Sequence, residues 1–326
     1  MTVYRLTLQP LSAFGARPLG DTLFGQLCWC LRHRHGEDRL VELLDGYTEG
    51  RPFAVLSDAL PLGYLPQPAL PGFWFEPVPG LDRKAAKKRA WLPWERQGEP
   101  VQTWLAHCLP ASQVAGAAPE AHPHPHNSLH RLTGTTGGDQ FAPYTQTRHW
   151  YGQAQGAPVH LAIHAVIDES RLAMAELRQA LEDMGAYGHG RDASVGLGKF
   201  AILEDEPVEL PSQPGADAWL TLAPVAPQGL GLDAGRSFYQ TFTRFGRHGD
   251  IGVHLGSPFK TPVLLAQTGA VLAGGPATAR PTPARPWLGQ GLGGAGRMTR
   301  NAALAGTVQQ GYAPVVGIRL PERITP

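Results

Sequence analysis

The residues best suited to hold a polyanion lie between positions 188 and 199, GHGRDASVGLGK. Gly188, Gly190, Gly196 and Gly198 leave backbone N–H groups bare, Arg191 and Lys199 supply positive charge, and Ser194 adds a hydroxyl. Glycine lets another backbone approach closely and tolerates positive φ, and bare N–H groups in succession form concavities for anions. The nucleotide fingerprints do not fit. A P-loop ending at Gly198 and Lys199 needs Gly at 193 and Ser or Thr at 200, where this chain has Ala193 and Phe200. A dinucleotide loop follows a strand and opens a helix, whereas the pattern here has a helix before the loop and a strand after it. A sugar-phosphate backbone laid across a sheet edge does fit. RNA is the natural candidate, because a sheet surface holds single strands by stacking and backbone contacts. The alternative is a loop that merely caps the preceding helix.

A second tract, HNSLHRLTGTTGGDQFAPY over residues 126–144, offers Arg131, Thr133, Thr135 and Thr136 as phosphate donors, with Gly134, Gly137 and Gly138 keeping the loop bare. His122, His124, His126 and His130 invite a metal reading. Pro123 and Pro125 hold the first three in an extended chain, and no Cys or carboxylate cluster lies close in sequence, so the spacing of a metal site is not met. No metal or other cofactor is expected. His130 as a general base lacks a neighbouring acid-base group to position it. Three later loops, TRFGRHGDIGVHLGSPFKTP, WLGQGLGGAGRMTR and QGYAP, extend the theme. Arg236, Arg244, Arg247 and Lys260 stand against Asp250, and Arg285, Arg297 and Arg300 follow with no acid. Phe245, Phe259 and Trp287 interleave with these bases, as on a surface that stacks bases and binds phosphates. Ordinary turns in an arginine-using chain are the alternative.

The apolar pattern supplies a frame for these loops. Val3 to Leu8 alternate as a strand. Asp21 stands where a helix N-cap belongs; Leu23, Phe24, Leu27, Cys28 and Leu31 recur at helical spacing, and Gly36 closes the helix behind four basic residues. A short helix over 37–44 and a strand within RPFAVLSDALPLGYLP come next. Further on, Pro158 to Ile167 predicts a strand, Glu169 to Met184 a helix, and the residues after the glycine loop a strand. Two β-α-β units interrupted by residues 71–150 give the element order of a ferredoxin-like domain. Residues 204–217 carry five acids, no base and three prolines, which places a domain boundary near 205. Beyond it, strand-like pieces alternate with glycine-rich loops. The expected fold is α+β with antiparallel sheets: an N-terminal ferredoxin-like (RRM-like) domain over 1–205 with its insertion at about 71–150, and a smaller, strand-rich domain over 206–326.

The length of 326 residues suits two domains of ordinary size. With 28 Lys and Arg against 27 Asp and Glu, the net charge is +1, so any nucleic-acid surface has to be local. The segment 81–96 is one such place, with six bases against two acids. It reads equally as a solvated helix face or as a dock for an acidic protein surface. The 40 glycines and 31 prolines show no Gly-X-Y period and are turns within a fold. Three cysteines, Cys28, Cys30 and Cys108, are an odd number in a large chain, which favours a reducing compartment. No apolar stretch reaches the length of about 18 residues that a membrane span needs, and Met1 leads into VYRLTLQPL without the pattern of a secretion signal. A cytoplasmic chain without membrane contact is expected.

Five blocks now stand in order: GDTLFGQLCW at 20–29, HNSLHRLTGTTG at 126–137, GHGRDASVGLGKF at 188–200, GSPFKTPVLLAQTGAVL at 256–272 and QGYAPVVGIRL at 310–320. Together they resemble the RAMP superfamily of CRISPR proteins, and within it the fourth-subunit family of type III-A Csm effector complexes. The type III-B counterpart is close, and the C-terminal block favours type III-A. The resemblance implies two packed ferredoxin-like domains in a subunit that holds the 5′ tag of the crRNA. It also implies contacts with the large polymerase-like (cyclase-like) subunit, the first backbone RAMP subunit and target RNA near the tag boundary. On this likeness Gly20, Asp21, Thr22 and the loop Gly188 to Lys199 hold tag phosphates and bases. Arg131 to Thr136 resemble a thumb that wedges into the guide-target duplex, and Arg247 and Lys260 extend the RNA surface. Backbone subunits of these complexes resemble this tract with an Asp before the Arg, and that Asp supports target cleavage. His130 precedes Arg131 here, which implies a non-catalytic chain. A metal-independent crRNA-processing endoribonuclease of the same superfamily, using a histidine base, is the alternative.

Overall fold

The structure, a computed structural model, describes residues 1–136, 142–154, 156–254, 256–275, 285–294, 296–299 and 304–322. The chain begins with β1 (Thr2–Pro10), α1 (Gly20–His35), α2 (Glu37–Leu44), β2 (Ala54–Leu56) and the two-residue β3 (Leu60–Pro61). It continues through β4 (Tyr64–Pro66), α3 (Arg83–Lys88), β5 (Arg89–Pro93), α4 (Trp104–His107) and β6 (Leu109–Pro110) to a long hairpin of β7 (Glu120–His126) and β8 (Tyr144–Trp150). A ribbon of β9 (Gln153–Ala154) and β10 (Ala157–Pro158) leads to β11 (Leu161–Ile167), α5 (Met174–Tyr187) and β12 (Phe200–Pro207). The remainder is strand: β13 (Ala218–Thr221), β14 (Thr241–Arg244), β15 (Val263–Ala266), β16 (Val271–Ala273), β17 (Trp287–Gly293) and β18 (Val308–Ile318). After α5 the described residues contain no α-helix.

The first sheet has the order β12-β1-β11-β2, antiparallel throughout, with β3 also paired to β11. Every residue of β11 is buried, as a central strand covered on both faces requires. α1 buries Leu23, Phe24, Leu27 and Leu31 and packs against α5 and β2. It starts two residues earlier than a cap at Asp21 would set it. Leu19 is the N-cap and supplies no side-chain bond, while the Gly20 N–H donates to Asp58 Oδ1 at 2.8 Å. A side chain at Gly20 would put its Cβ 2.3 Å from the Leu56 carbonyl, so the start of α1 is pressed onto the end of β2. α5 starts at Met174 because Asp168 first holds a separate turn, accepting from the N–H groups of Arg171 and Leu172.

Residues 71–150 divide into two parts. The first folds back: β4, β5 and β6 form a small sheet, and Trp74, Leu92 and Trp104 enter the same core as the main sheet. The second, β7 and β8, projects as a two-stranded arm. Pro123 and Pro125 sit at alternate positions of β7, tolerable where the missing N–H would face away from β8.

The second sheet has the order β16-β13-β18-β17. Tyr312, Val316 and Ile318 of β18 belong to the main core. The Gln310 side chain meets the free edge of β2, accepting from Leu56 N at 2.9 Å and donating to Leu56 O at 2.8 Å. The acids of 204–206 lie on β12 rather than in a free linker, and Asp205 and Glu206 are paired with Arg178 and Arg5. Among the described residues, no helix is long and apolar enough to cross a membrane.

Candidate nucleic-acid interface

The glycine loop is built against α1. α5 ends on Gly188 with φ 105°, and Gly198 has φ 75° with an added Cβ only 2.1 Å from the His189 carbonyl. These two positions admit glycine and little else. Gln26 of α1 holds the loop, donating to Gly188 O at 2.7 Å while its Oε1 accepts from Gly190 N at 3.2 Å and meets His189 Nδ1 at 2.8 Å. His189 is 2% exposed, its Nε2 lies 3.4 Å from Thr22 Oγ1, and burial pushes its pKa down to about 4. It is thus a neutral strut. On the other side, Gly198 N donates to Ala13 O at 2.7 Å and Lys199 N to Ser12 Oγ at 2.9 Å. What stays exposed is Gly190, Arg191, Ser194 and Lys199.

The stripe of α1 that the core does not take, Thr22, Gln26, Trp29 and His33, runs from this loop to the loop after β14. There Gly249 packs against Trp29 and His33 Nε2 lies 2.6 Å from Asp250 Oδ2. Lys260 is half-buried beneath this loop. Burial lowers its pKa, opposed by the negative charge of Asp21. Arg247 is exposed and stacks over Phe259 at 5.2 Å; Phe259 and Phe245 are 59% and 75% exposed. Trp287, expected among the stacking aromatics, is instead packed against Tyr312 in the core, with Arg285 over its ring. Arg236 is tied to Asp217 at 2.6 Å.

Asp21 and Gly20 lie inside. The Asp21 carboxylate receives Arg244 Nε at 2.7 Å, Arg244 Nη2 at 3.0 Å and Gln309 Nε2 at 2.9 Å, so it fixes α1 to the second half rather than facing a ligand. Thr22 stays on the half-exposed stripe.

The arm carries Arg131, Thr133, Thr135 and Thr136 at its tip, all exposed. A turn closed by Gly134 N to His130 O at 2.8 Å and His130 N to Thr135 O at 3.0 Å sets them side by side. Leu129 and Leu132 are 61% and 92% exposed there. Gly137, Gly138 and Arg300 lie outside the described residues. The tip does not join the glycine loop, but the root of the arm does. His149 pairs with Phe14 through two 2.8 Å backbone bonds, and Arg191 Nη2 donates to Thr147 O at 3.2 Å. His130 Nδ1 accepts from Thr133 N at 3.2 Å. His122, His124 and His126 alternate along β7, where His126 stacks on Tyr144. Among the described residues no three His, Cys, Asp or Glu side chains are grouped to hold a metal ion. The struts Gln26 and His189 were not among the sequence candidates. Their signal was a Gly-His-Gly step and a glutamine on the polar stripe of α1.

No family model and no curated protein matches the sequence. Solved structures do match it in fold. A chain of the Csm1-Csm4 cassette in complex with pppApA aligns with TM-score 0.56 at 14% identity, over 99% of this chain and 100% of its own length. A chain of the same cassette with cA4 gives 0.57 at 13%, over 98% and 100%. A chain of the Csm3-Csm4 subcomplex in the type III-A CRISPR-Cas interference complex gives 0.55 at 11%, over 95% and 99%. The RAMP resemblance carried by five short blocks is therefore matched, end to end, by the fold of chains from assemblies whose shared component is Csm4.

Proposed function

We propose that this chain is a non-catalytic RNA-holding subunit of a type III-A CRISPR interference complex, seating the 5′ tag of the crRNA and bridging the large subunit to the backbone. One observation carries the reading. The glycine loop, the outer stripe of α1, the loop after β14 and the root of the arm are joined by direct contacts into one face. Arg191, Lys199 and Arg247 are exposed on it. Bare backbone, cations and exposed phenylalanines are what a single strand needs for phosphate contacts and stacking. The strand order β12-β1-β11-β2 with α1 and α5 supports a ferredoxin-like first domain, and we read residues 206–326 as its packed companion. The tip, with Arg131 beside Leu129 and Leu132, is read as a wedge at the tag boundary.

Binding of the full chain to a short RNA carrying the 5′ tag, with and without EDTA, tests this reading. Uncut RNA is expected, with Lys199→Ala and Arg191→Ala each weakening binding several-fold. The slope of log K against log salt should flatten by about 0.7 for each phosphate that is no longer neutralised. Cleavage in EDTA that disappears in His130→Ala would establish the endoribonuclease instead.

A further inference from the structure

A cleft of about 860 Å³ opens between the segment before α1, the basic helix α3 and the second half. Arg17, Arg83 and Lys87 line it. Arg83 and Lys87, four apart, share one side of α3, while Lys84 and Lys88 do not line the cleft. All three lining cations are exposed, and none has a hydrogen bond or ion pair among the described residues. Arg89, also in the wall, is different: its guanidinium is spent on the carbonyls of Leu105, Ala106 and Cys108. Three unpaired cations in the wall of one concavity are suited to share an anion.

The rest of the wall narrows the class of anion. Trp91 and Phe242 are half-buried aromatic surfaces on the cleft. The side-chain amides of Gln240 and Gln267 stand there without hydrogen-bond partners among the described residues, and an amide both donates and accepts, as a base edge does. The volume falls within the range of small-molecule sites, about 300–1,000 Å³. An acidic peptide would satisfy the cations but leave the flat aromatic faces unused.

Arg17 connects this cleft to the face already described. Its charge lowers the pKa of His149 at the root of the arm, adding to the larger effect of burial, and its own segment supplies Ser12 and Ala13 to the glycine loop.

We propose that this cleft is a nucleotide-binding site, which takes one or two nucleotides of a single-stranded RNA with a phosphate between Arg17, Arg83 and Lys87 and a base against Trp91. The proposal rests on the RNA-holding reading above and adds a second, separate seat.

The test uses the full chain and a fluorescent 5′-tagged RNA. Arg83→Ala/Lys87→Ala should weaken binding about tenfold and flatten the salt slope by about 0.7, for the one phosphate that is no longer neutralised. Lys84→Ala/Lys88→Ala, on the same helix but outside the cleft, should stay within about twofold. Trp91→Leu should lower the yield of crosslinks from 4-thiouridine placed in the RNA, while circular dichroism shows the variant folded. Equal weakening by the two lysine-bearing pairs would mean diffuse attraction and overturn the cleft. So would full binding by Arg83→Ala/Lys87→Ala while Lys199→Ala fails to bind, a result that leaves the glycine-loop reading intact. No RNA binding by the wild-type chain would sink both readings. Capture of a poly-glutamate peptide dependent on Arg83 and Lys87, with RNA indifferent to them, would make the cleft a protein dock.

Discussion

Asp58 is a carboxyl kept from water between two donors, Gly20 N at 2.8 Å and Thr268 Oγ1 at 2.5 Å. Burial raises its pKa from the ordinary 3.8 to about 7, although both hydrogen bonds favour the charged form. A raised acid pKa means that the folded state binds the proton more tightly than the unfolded chain does. The stability it contributes is complete below about pH 4 and is lost as pH rises through about 7. Asp58→Asn keeps the shape and an acceptor for Gly20 while removing the proton. Urea unfolding from pH 4 to pH 8 should show the variant gaining on wild type by on the order of 3 kcal/mol, and parallel pH profiles would disprove this. The thiols make a simpler case. Burial pushes Cys28 and Cys108 up to about 12 and Cys30 to about 11, so thiolate is scarce at pH 8. Alkylation by iodoacetamide should be slow in the folded chain and fast in urea; fast labelling of native protein would contradict this.

Within the glycine loop, two positions with similar φ separate conformational strain from crowding. Gly190 has φ 79° and open space beyond it, whereas Gly198 has φ 75° and the His189 carbonyl 2.1 Å from an added Cβ. Gly190→Ala should cost about 1 kcal/mol and Gly198→Ala well over that, read as the difference in urea midpoints; equal costs would show that the loop moves aside. The arm is the opposite kind of element. Its strands pair with each other, its β7 side chains are nearly all exposed, and Phe14 and Arg191 hold its root. Replacing 127–143 with a short Gly-Ser turn should leave the melting temperature within about 2 °C, since the described residues of that stretch carry little buried apolar surface. These contrasts explain what the sequence made legible. β1, α1, β11 and α5 show in apolar spacing because their buried faces are continuous, and the glycine loop shows because positive φ demands a residue type. The rest depended on pairing across the chain. Asp21 looks like a cap in its local context, and only Arg244, 223 residues away, makes it a buried anchor. Trp287 looks like a stacking residue among arginines until Tyr312 covers it. The segment after residue 71 reads as an insertion because its Trp and Pro residues have no period, yet Trp74 and Trp104 complete the core.

Across the whole molecule, the halves before and after residue 205 are joined by polar groups as well as by a shared core. Asp21 with Arg244 and Gln309, Asp58 with Thr268, Gln310 with Leu56 and Tyr312 with the Tyr47 carbonyl all cross the boundary. Removing one partner of a buried ion pair strands the other, at a cost of about 3–5 kcal/mol. Arg244→Ala should therefore lower the single unfolding transition of the whole chain by that amount, with tryptophan fluorescence and far-ultraviolet dichroism changing together. A split into two transitions would mean that the halves fold apart. Gln310 carries a consequence of another kind, one of timing during synthesis. A side chain of β18 closes the hydrogen-bonding edge of β2, which is made 254 residues earlier, so that edge stays open on the ribosome until about residue 310 has emerged. A pairing this distant in sequence is slow to form, and an unpaired strand edge is a template for wrong partners. The vulnerable period of the nascent chain lasts until β18 has emerged, and a chain stalled short of β18 should be the form that chaperones or proteases meet.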